Sequence, residues 1–163
     1  GYAGTGYNTA FDILYNQKLS YTAFDEKFTK LQKENPNLRF EQALSMVAAD
    51  FGLVAPGETA ANKALVLSAL EYSKLEAAFK QAMLPSKQRD SGDQAYLLYG
   101  GYNPFSVTLT HILNNKAGIG WTSYSHTGTP VGVYAYGSGS ELFAGSYDNT
   151  DVYAKLKQLT GIV

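Results

Sequence analysis

The first half of the chain carries apolar residues at helical spacing. Phe24, Phe28 and Leu31 stand at i, i+4 and i+7, and Pro36 ends the pattern. A second run, over residues 40–51, follows the 3.6-residue period, and the glycine after it is suited to the position that closes a helix. We therefore predict two amphipathic helices in this stretch.

A capping signal in the sequence predicts the start of a third helix. Ser68 and Glu71 have the spacing of a capping box, in which each side chain bonds the backbone N–H of the other. We expect this helix to run to about Met83 and to end before Pro85. The polar residues 86–93 that follow are typical of an exposed loop.

The second half of the chain mixes helical and strand patterns. Asn103 before a proline predicts a helix start, and a last helix is expected over residues 150–160. Residues 121–124 and 131–136 are rich in β-branched and aromatic side chains and are predicted as short strands. Strands that alternate with helices favour an α/β fold.

Charge divides the 163 residues unevenly. Of the 27 charged residues, 19 lie within residues 21–93 and only two within residues 94–147. The formal net charge of −1 provides no basic surface for a phosphate backbone, so nucleic-acid binding is not expected. No apolar run reaches the ~18 residues of a membrane span, so no membrane segment is predicted either. There is no cysteine, which excludes disulfides and thiolate metal sites.

Three features are weak candidates for chemistry. The glycines of GYAGTGY, residues 1–7, are spaced as in neither a dinucleotide fingerprint nor a Walker A loop, so we interpret them as a connecting segment. His111 lies opposite the apolar stripe of its predicted helix and is interpreted as structural or exposed. The Asp90-Ser91 pair stands in a predicted solvated loop with no base nearby in sequence, so no nucleophile is assigned to it.

His126 is the stronger candidate. It stands between two predicted strands, where open α/β sheets place their ligands. Two interpretations stay open for this residue. It is either a metal ligand, with Ser123, Ser125 or Thr127 bonded to its second ring nitrogen, or a hydrogen-bonded structural histidine. A catalytic zinc site takes about three protein ligands, and this chain has two distant histidines. His126 alone cannot complete such a site.

The run HTGTPVGVYAYGSGSELFAGSYDNTDVYAKL, residues 126–156, resembles the carboxy-terminal end of alkaline phosphatases. That family ends in His-Thr-Gly, an apolar strand closing with Tyr-Gly, a loop of small residues, and Asp-x-Thr-Asp before the last helix. Here these elements are residues 126–128, 131–137, 138–145 and 148–151. The preceding NPFSVTLTHILNNKAGIGW is similar to the family's lead-in to that histidine.

The resemblance implies an αβα sandwich in which His126 is a zinc ligand. It further implies hydrolysis of phosphate monoesters through a phosphoserine at a two-zinc site, with Mg²⁺ as a second cofactor. The family's Asp-Ser-Ala nucleophile, phosphate-binding arginine and remaining metal ligands are not found, and Asp90-Ser91 is followed by glycine instead. We therefore expect an inactive segment that begins after the family's Asp-His-Glu metal motif.

The remaining expectations concern organisation and partners. Residues 1–163 are predicted as one fragment of an α/β domain, with a helical insertion over 21–93 that projects from the sheet and a sheet-and-helix segment over 94–163. The resemblance implies that the partner is the amino-terminal remainder of the same enzyme, in a periplasmic or secreted homodimer. Two alternatives stay open: a non-catalytic binding module built on the 13 tyrosines, or part of a related sulfatase or phosphodiesterase.

Overall fold

The computed structural model describes residues 9–162 and is predominantly helical. The chain divides into two compact units, which meet in sequence between Tyr124 and Ser125. We call residues 9–124 the helical unit and residues 125–162 the second unit. The α-helices are α1 (Phe11–Leu14), α2 (Tyr21–Glu34), α3 (Phe40–Phe51), α4 (Ala69–Met83), α5 (Asp93–Tyr99), α6 (Pro104–Lys116) and α7 (Asp151–Thr160). Short 3₁₀ turns span Lys63–Leu65, Ser86–Gln88 and Ser140–Phe143.

The core of the helical unit is built on phenylalanine rings. Phe105 of α6 is fully buried, and its ring centroid lies 4.7 Å from that of Phe28 and 5.5 Å from that of Phe79. Phe24 packs edge-on against Phe51 at 5.1 Å. Offset and edge-to-face pairs of this kind add to the free energy that burial already contributes. These rings join α2, α3, α4 and α6 in one apolar cluster.

The predicted helix boundaries of the helical unit are confirmed. At the start of α4, the Ser68 side chain accepts from the Glu71 N–H at 3.2 Å, and Glu71 accepts in return from the Ser68 N–H at 2.7 Å. At the end of α3, Gly52 is left-handed, with φ of 69°. Asn103 caps α6 by accepting from the N–H groups of Phe105 and Ser106. Local sequence signals were sufficient for each of these ends.

A largely shielded ion pair ties α6 to α4. Lys116 Nζ lies 2.8 Å from Glu71 Oε2 and donates a second bond to the carbonyl of Val66 at 3.0 Å. Burial alone would raise the pKa of Glu71, but the hydrogen bonds from Lys116 and Ser68 outweigh it and lower that pKa. The pair therefore links the 21–93 stretch to a helix of the 94–163 stretch, and both helices belong to the helical unit.

The strands predicted at 121–124 and 131–136 are wrong for this structure. Neither stretch has regular secondary structure, and bridge pairing within residues 9–162 is limited to isolated residues such as Val54 and Val66. A strand is stabilised only by hydrogen bonds to a neighbouring strand, and the described residues supply none. The α/β sandwich is therefore not confirmed. The sequence also failed to predict α5, which begins at Asp93, the last residue of the predicted 86–93 loop.

The second unit has a different character, because none of its described residues is buried. Val131, Tyr134 and Tyr136 are 83%, 96% and 106% exposed. The helix predicted over residues 150–160 is confirmed by α7, which ends at the left-handed Gly161. Apolar residues that alternate along 131–136 thus lie open to solvent.

Candidate functional site

His126 lies in the second unit, on a stretch without regular secondary structure, and its side chain is exposed. Its imidazole makes no hydrogen bond or ion pair with any other described residue. Thr127, which the sequence offered as a partner for the second ring nitrogen, is therefore not bonded to it. Neither ring nitrogen is engaged, so either one can present its lone pair to a ligand. An exposed, uncommitted imidazole is suited to metal binding.

The residues that follow His126 are held by local contacts. Asp148 accepts hydrogen bonds from both the N–H and the hydroxyl of Thr150, each at 3.1 Å, and these bonds lower the pKa of Asp148. The Asp148 N–H in turn donates to Asp151 at 3.1 Å. The Asp-Asn-Thr-Asp motif thus forms the turn that leads into α7. Its two carboxylates accept hydrogen bonds within this turn.

A second anchor joins α7 to the 3₁₀ turn of the same unit. Lys155 donates to the carbonyl of Leu142 at 2.8 Å, and its ammonium group lies 4.3 Å from the centre of the Tyr147 ring. A separate contact brings Leu159 of α7 against Gly139, which has φ of 83° and where a Cβ would overlap the Leu159 side chain. The packing therefore gives a structural reason for Gly139, one of the two glycines in the small-residue loop of the resemblance.

His111 occupies a separate place, on α6 in the helical unit. Its ring lies 5.7 Å from that of Tyr124, and partial burial lowers the pKa of the imidazole. The Tyr124 hydroxyl donates to the carbonyls of Leu98 at 2.7 Å and Leu97 at 3.1 Å. Its ring covers Gly100, where a Cβ would overlap the ring atoms. Sequence reasoning missed this position of Tyr124, because the contact depends on α5.

Asp90 has a structural partner in α4. Its carboxylate accepts from the Gln81 side-chain amide at 2.6 Å, and its N–H donates to the same amide's oxygen at 3.0 Å. This pair of hydrogen bonds attaches the loop to the last turn of α4. The neighbouring Ser91 is exposed. The arrangement agrees with the loop interpretation of Asp90-Ser91. The GYAGTGY segment lies outside the described residues.

The structure does not bring a set of metal ligands together. Within residues 9–162, no group of three or more His, Cys, Asp or Glu side chains is placed to hold a metal ion. His126 fits a single ligand by the chemistry of its imidazole, but the described residues do not complete a site around it. None of the helices in this part of the chain is both long and apolar enough to cross a bilayer.

Comparison with known proteins identifies the class to which these elements belong. The sequence model of the family described as "Alkaline phosphatase" matches residues 59–162, which is more than half of the chain. The chain belongs to the alkaline phosphatase family, as the resemblance predicted. The match takes in α4 to α7, and the helical insertion over 21–93 stays a prediction.

Two curated relatives from Bacillus subtilis (strain 168) are similar to part of this chain. Alkaline phosphatase 3 is 50% identical over 44 residues, which are 27% of this chain and 10% of that protein. Alkaline phosphatase 4 is 50% identical over 46 residues, 28% of this chain and again 10% of the relative. The matched part therefore spans about a tenth of each relative's length. No solved structure matches the chain.

Proposed function

We propose that this chain is the carboxy-terminal part of an alkaline phosphatase that hydrolyses phosphate monoesters, and that His126 is one of its zinc ligands. The observation that carries the proposal is the family match over residues 59–162, which includes His126. The relatives are named alkaline phosphatases and not sulfatases or phosphodiesterases. The uncommitted, exposed imidazole of His126 supports its role.

The proposed chemistry is shared with residues outside those described. When bound, a pair of zinc ions with Mg²⁺ would activate a serine nucleophile and neutralise charge on the phosphoryl group. His126 contributes one neutral nitrogen donor to such a site. The hydrogen bonds of Asp148 and Lys155 fix part of the backbone that follows His126 in the chain.

The exposed apolar residues support an assembly with further chain. Val131, Tyr134 and Tyr136 would be buried if residues 131–136 joined a sheet supplied by the amino-terminal remainder of the enzyme. We propose the αβα sandwich, the homodimer and the periplasmic or secreted location for that complete enzyme. By itself, the 163-residue chain is proposed to be inactive.

The test compares His126→Ala with His111→Ala in the full-length gene product. We expect His126→Ala to lower zinc content, measured by plasma mass spectrometry, and to reduce hydrolysis of p-nitrophenyl phosphate by at least about 100-fold, because metal catalysis contributes several kcal/mol. His111→Ala, the change at the other histidine, should leave both nearly unchanged. The 163-residue chain with added Zn²⁺ and Mg²⁺ should show no turnover.

Normal zinc content and rate in His126→Ala would make this histidine structural and contradict the assignment. Robust turnover by the 163-residue chain that disappears in Ser91→Ala would contradict the proposed inactivity. Circular dichroism of each variant checks that the fold is retained.

A further inference from the structure

A cavity of about 310 Å³ lies among α4, α5 and α6, and it is independent of the function proposed for His126. This volume is within the range of small-ligand pockets, which begin at roughly 300 Å³. All of its lining residues belong to the helical unit. Those that matter here are Lys74, Leu97, Leu98, His111, Asn115 and Tyr124.

One wall of the cavity is apolar and open. Leu97 and Leu98 of α5 are 75% and 51% exposed, and this helix has no buried residue. Large apolar side chains grouped beside a concave surface mark binding sites more often than scattered ones do. The leucines therefore offer contact area to the apolar body of a ligand.

An aromatic surface adjoins the leucines and is held in place. The hydroxyl of Tyr124 is bonded to the carbonyls of Leu97 and Leu98, and Gly100 leaves room for its ring. His111 packs against the same ring. A ring that is already immobilised loses little conformational entropy when a ligand stacks on it.

Three polar groups of the cavity are not used by the fold. Lys74, His111 and Asn115 have no side-chain hydrogen bond or ion pair with the rest of the described chain. By contrast, Glu71 at the same cavity is neutralised by Lys116, and Lys80 further along α4 pairs with Glu76 at 2.7 Å. The charge left over in the cavity is therefore that of the Lys74 ammonium.

We propose that this cavity is a binding site for a small aromatic carboxylate. Its carboxylate pairs with Lys74 and accepts a hydrogen bond from the Asn115 amide, while its ring packs between the leucines and Tyr124. His111, whose pKa burial lowers, offers a neutral N–H donor beside them. The combination of one cation, amide and imidazole donors and an apolar wall selects an anion with an aromatic body over a bare anion.

The test is a titration of the 163-residue chain with phenylacetate and with its neutral isostere, phenylacetamide, in the presence of EDTA. Proton NMR follows the imidazole signals of the two histidines, which His126→Gln assigns. We expect a saturable shift of the His111 signal, and an affinity for phenylacetate at least about five-fold above that for the amide, because one charged hydrogen bond is lost. The His126 signal should stay in place.

Variants separate the site from general charge. Lys74→Met should reduce the phenylacetate affinity to that of the amide, whereas Lys80→Met, which removes the same charge from the same helix, should leave it unchanged. Equal weakening by both variants, equal shifts of both histidines, or no saturable shift with phenylacetate would overturn the proposal. The comparison of the two ligands needs no change at Lys74, so the proposal stays testable if Lys74→Met fails to fold.

Discussion

The helical unit buries its apolar stripes, whereas the second unit exposes its own. Phe28, Phe51 and Phe105 are completely buried, while Tyr134 and Tyr136 are almost fully open to solvent. Both regions carried clear periodic patterns in the sequence. The patterns alone therefore did not determine which of the two would form a core.

The difference follows from where each element finds its hydrogen bonds. A helix closes its backbone bonds within itself, so α2, α3, α4 and α6 can form first and then pack their apolar faces together. A strand must take its bonds from another strand. Residues 131–136 find no such partner within the described part of the chain.

The largest expected effect comes from the centre of the helical unit. Phe105→Ala removes a fully buried ring that contacts Phe28 and Phe79. We expect the free energy of unfolding to fall by about 3–5 kcal/mol, measured by urea denaturation and far-UV circular dichroism. Tyr136→Ala in the second unit should change it by less than about 0.5 kcal/mol. A similar loss in both variants would break the comparison.

A smaller effect is expected at the ion pair between α4 and α6. Lys116→Met removes the hydrogen-bond donor of the Val66 carbonyl and the cation paired with the Glu71 carboxylate. We expect it to destabilise the helical unit by about 2 kcal/mol at pH 7. Lys80→Met, which removes an exposed i,i+4 pair, should cost less than about 0.5 kcal/mol.

The same pair gives a pH dependence with a definite sign. The pKa of Glu71 is lowered in the folded state, so its contribution is full above its ordinary value of 4.5 and is lost as the pH falls through the folded-state pKa. Denaturation of Lys116→Met should therefore depend less on pH below 4.5 than that of the parent chain. An identical acid profile for the two would show that the pair contributes little.

The smallest effect tests a local signal. Ser68→Ala removes the N-cap of α4 and should lower the free energy of unfolding by about 1 kcal/mol. Ser73→Ala is the matched control, because its hydroxyl only donates to the carbonyl of Leu70 within the same helix. Equal losses in the two variants would mean that the cap has no special role.

The sequence predicted the parts of the fold that depend on neighbours in the chain. The box at Ser68, the cap at Asn103 and the left-handed Gly52 each act within one helical turn, and the structure confirms all three. Sequence analysis failed at α5, whose apolar residues do not form a single buried stripe, since Leu97 and Leu98 are exposed. Without a one-sided stripe, periodicity carries no helix signal.

The candidate site divides in the same way. A motif in the sequence singled out His126 and, through the resemblance, the family to which the chain belongs. The pairing of Lys116 with Glu71, the Tyr124 ring over Gly100 and the cavity beside Lys74 join residues far apart in sequence. Local backbone chemistry determined the helix ends, whereas contacts between distant residues appear only after the chain has packed. Tertiary structure alone decided those contacts, because burial is a property of the assembled molecule.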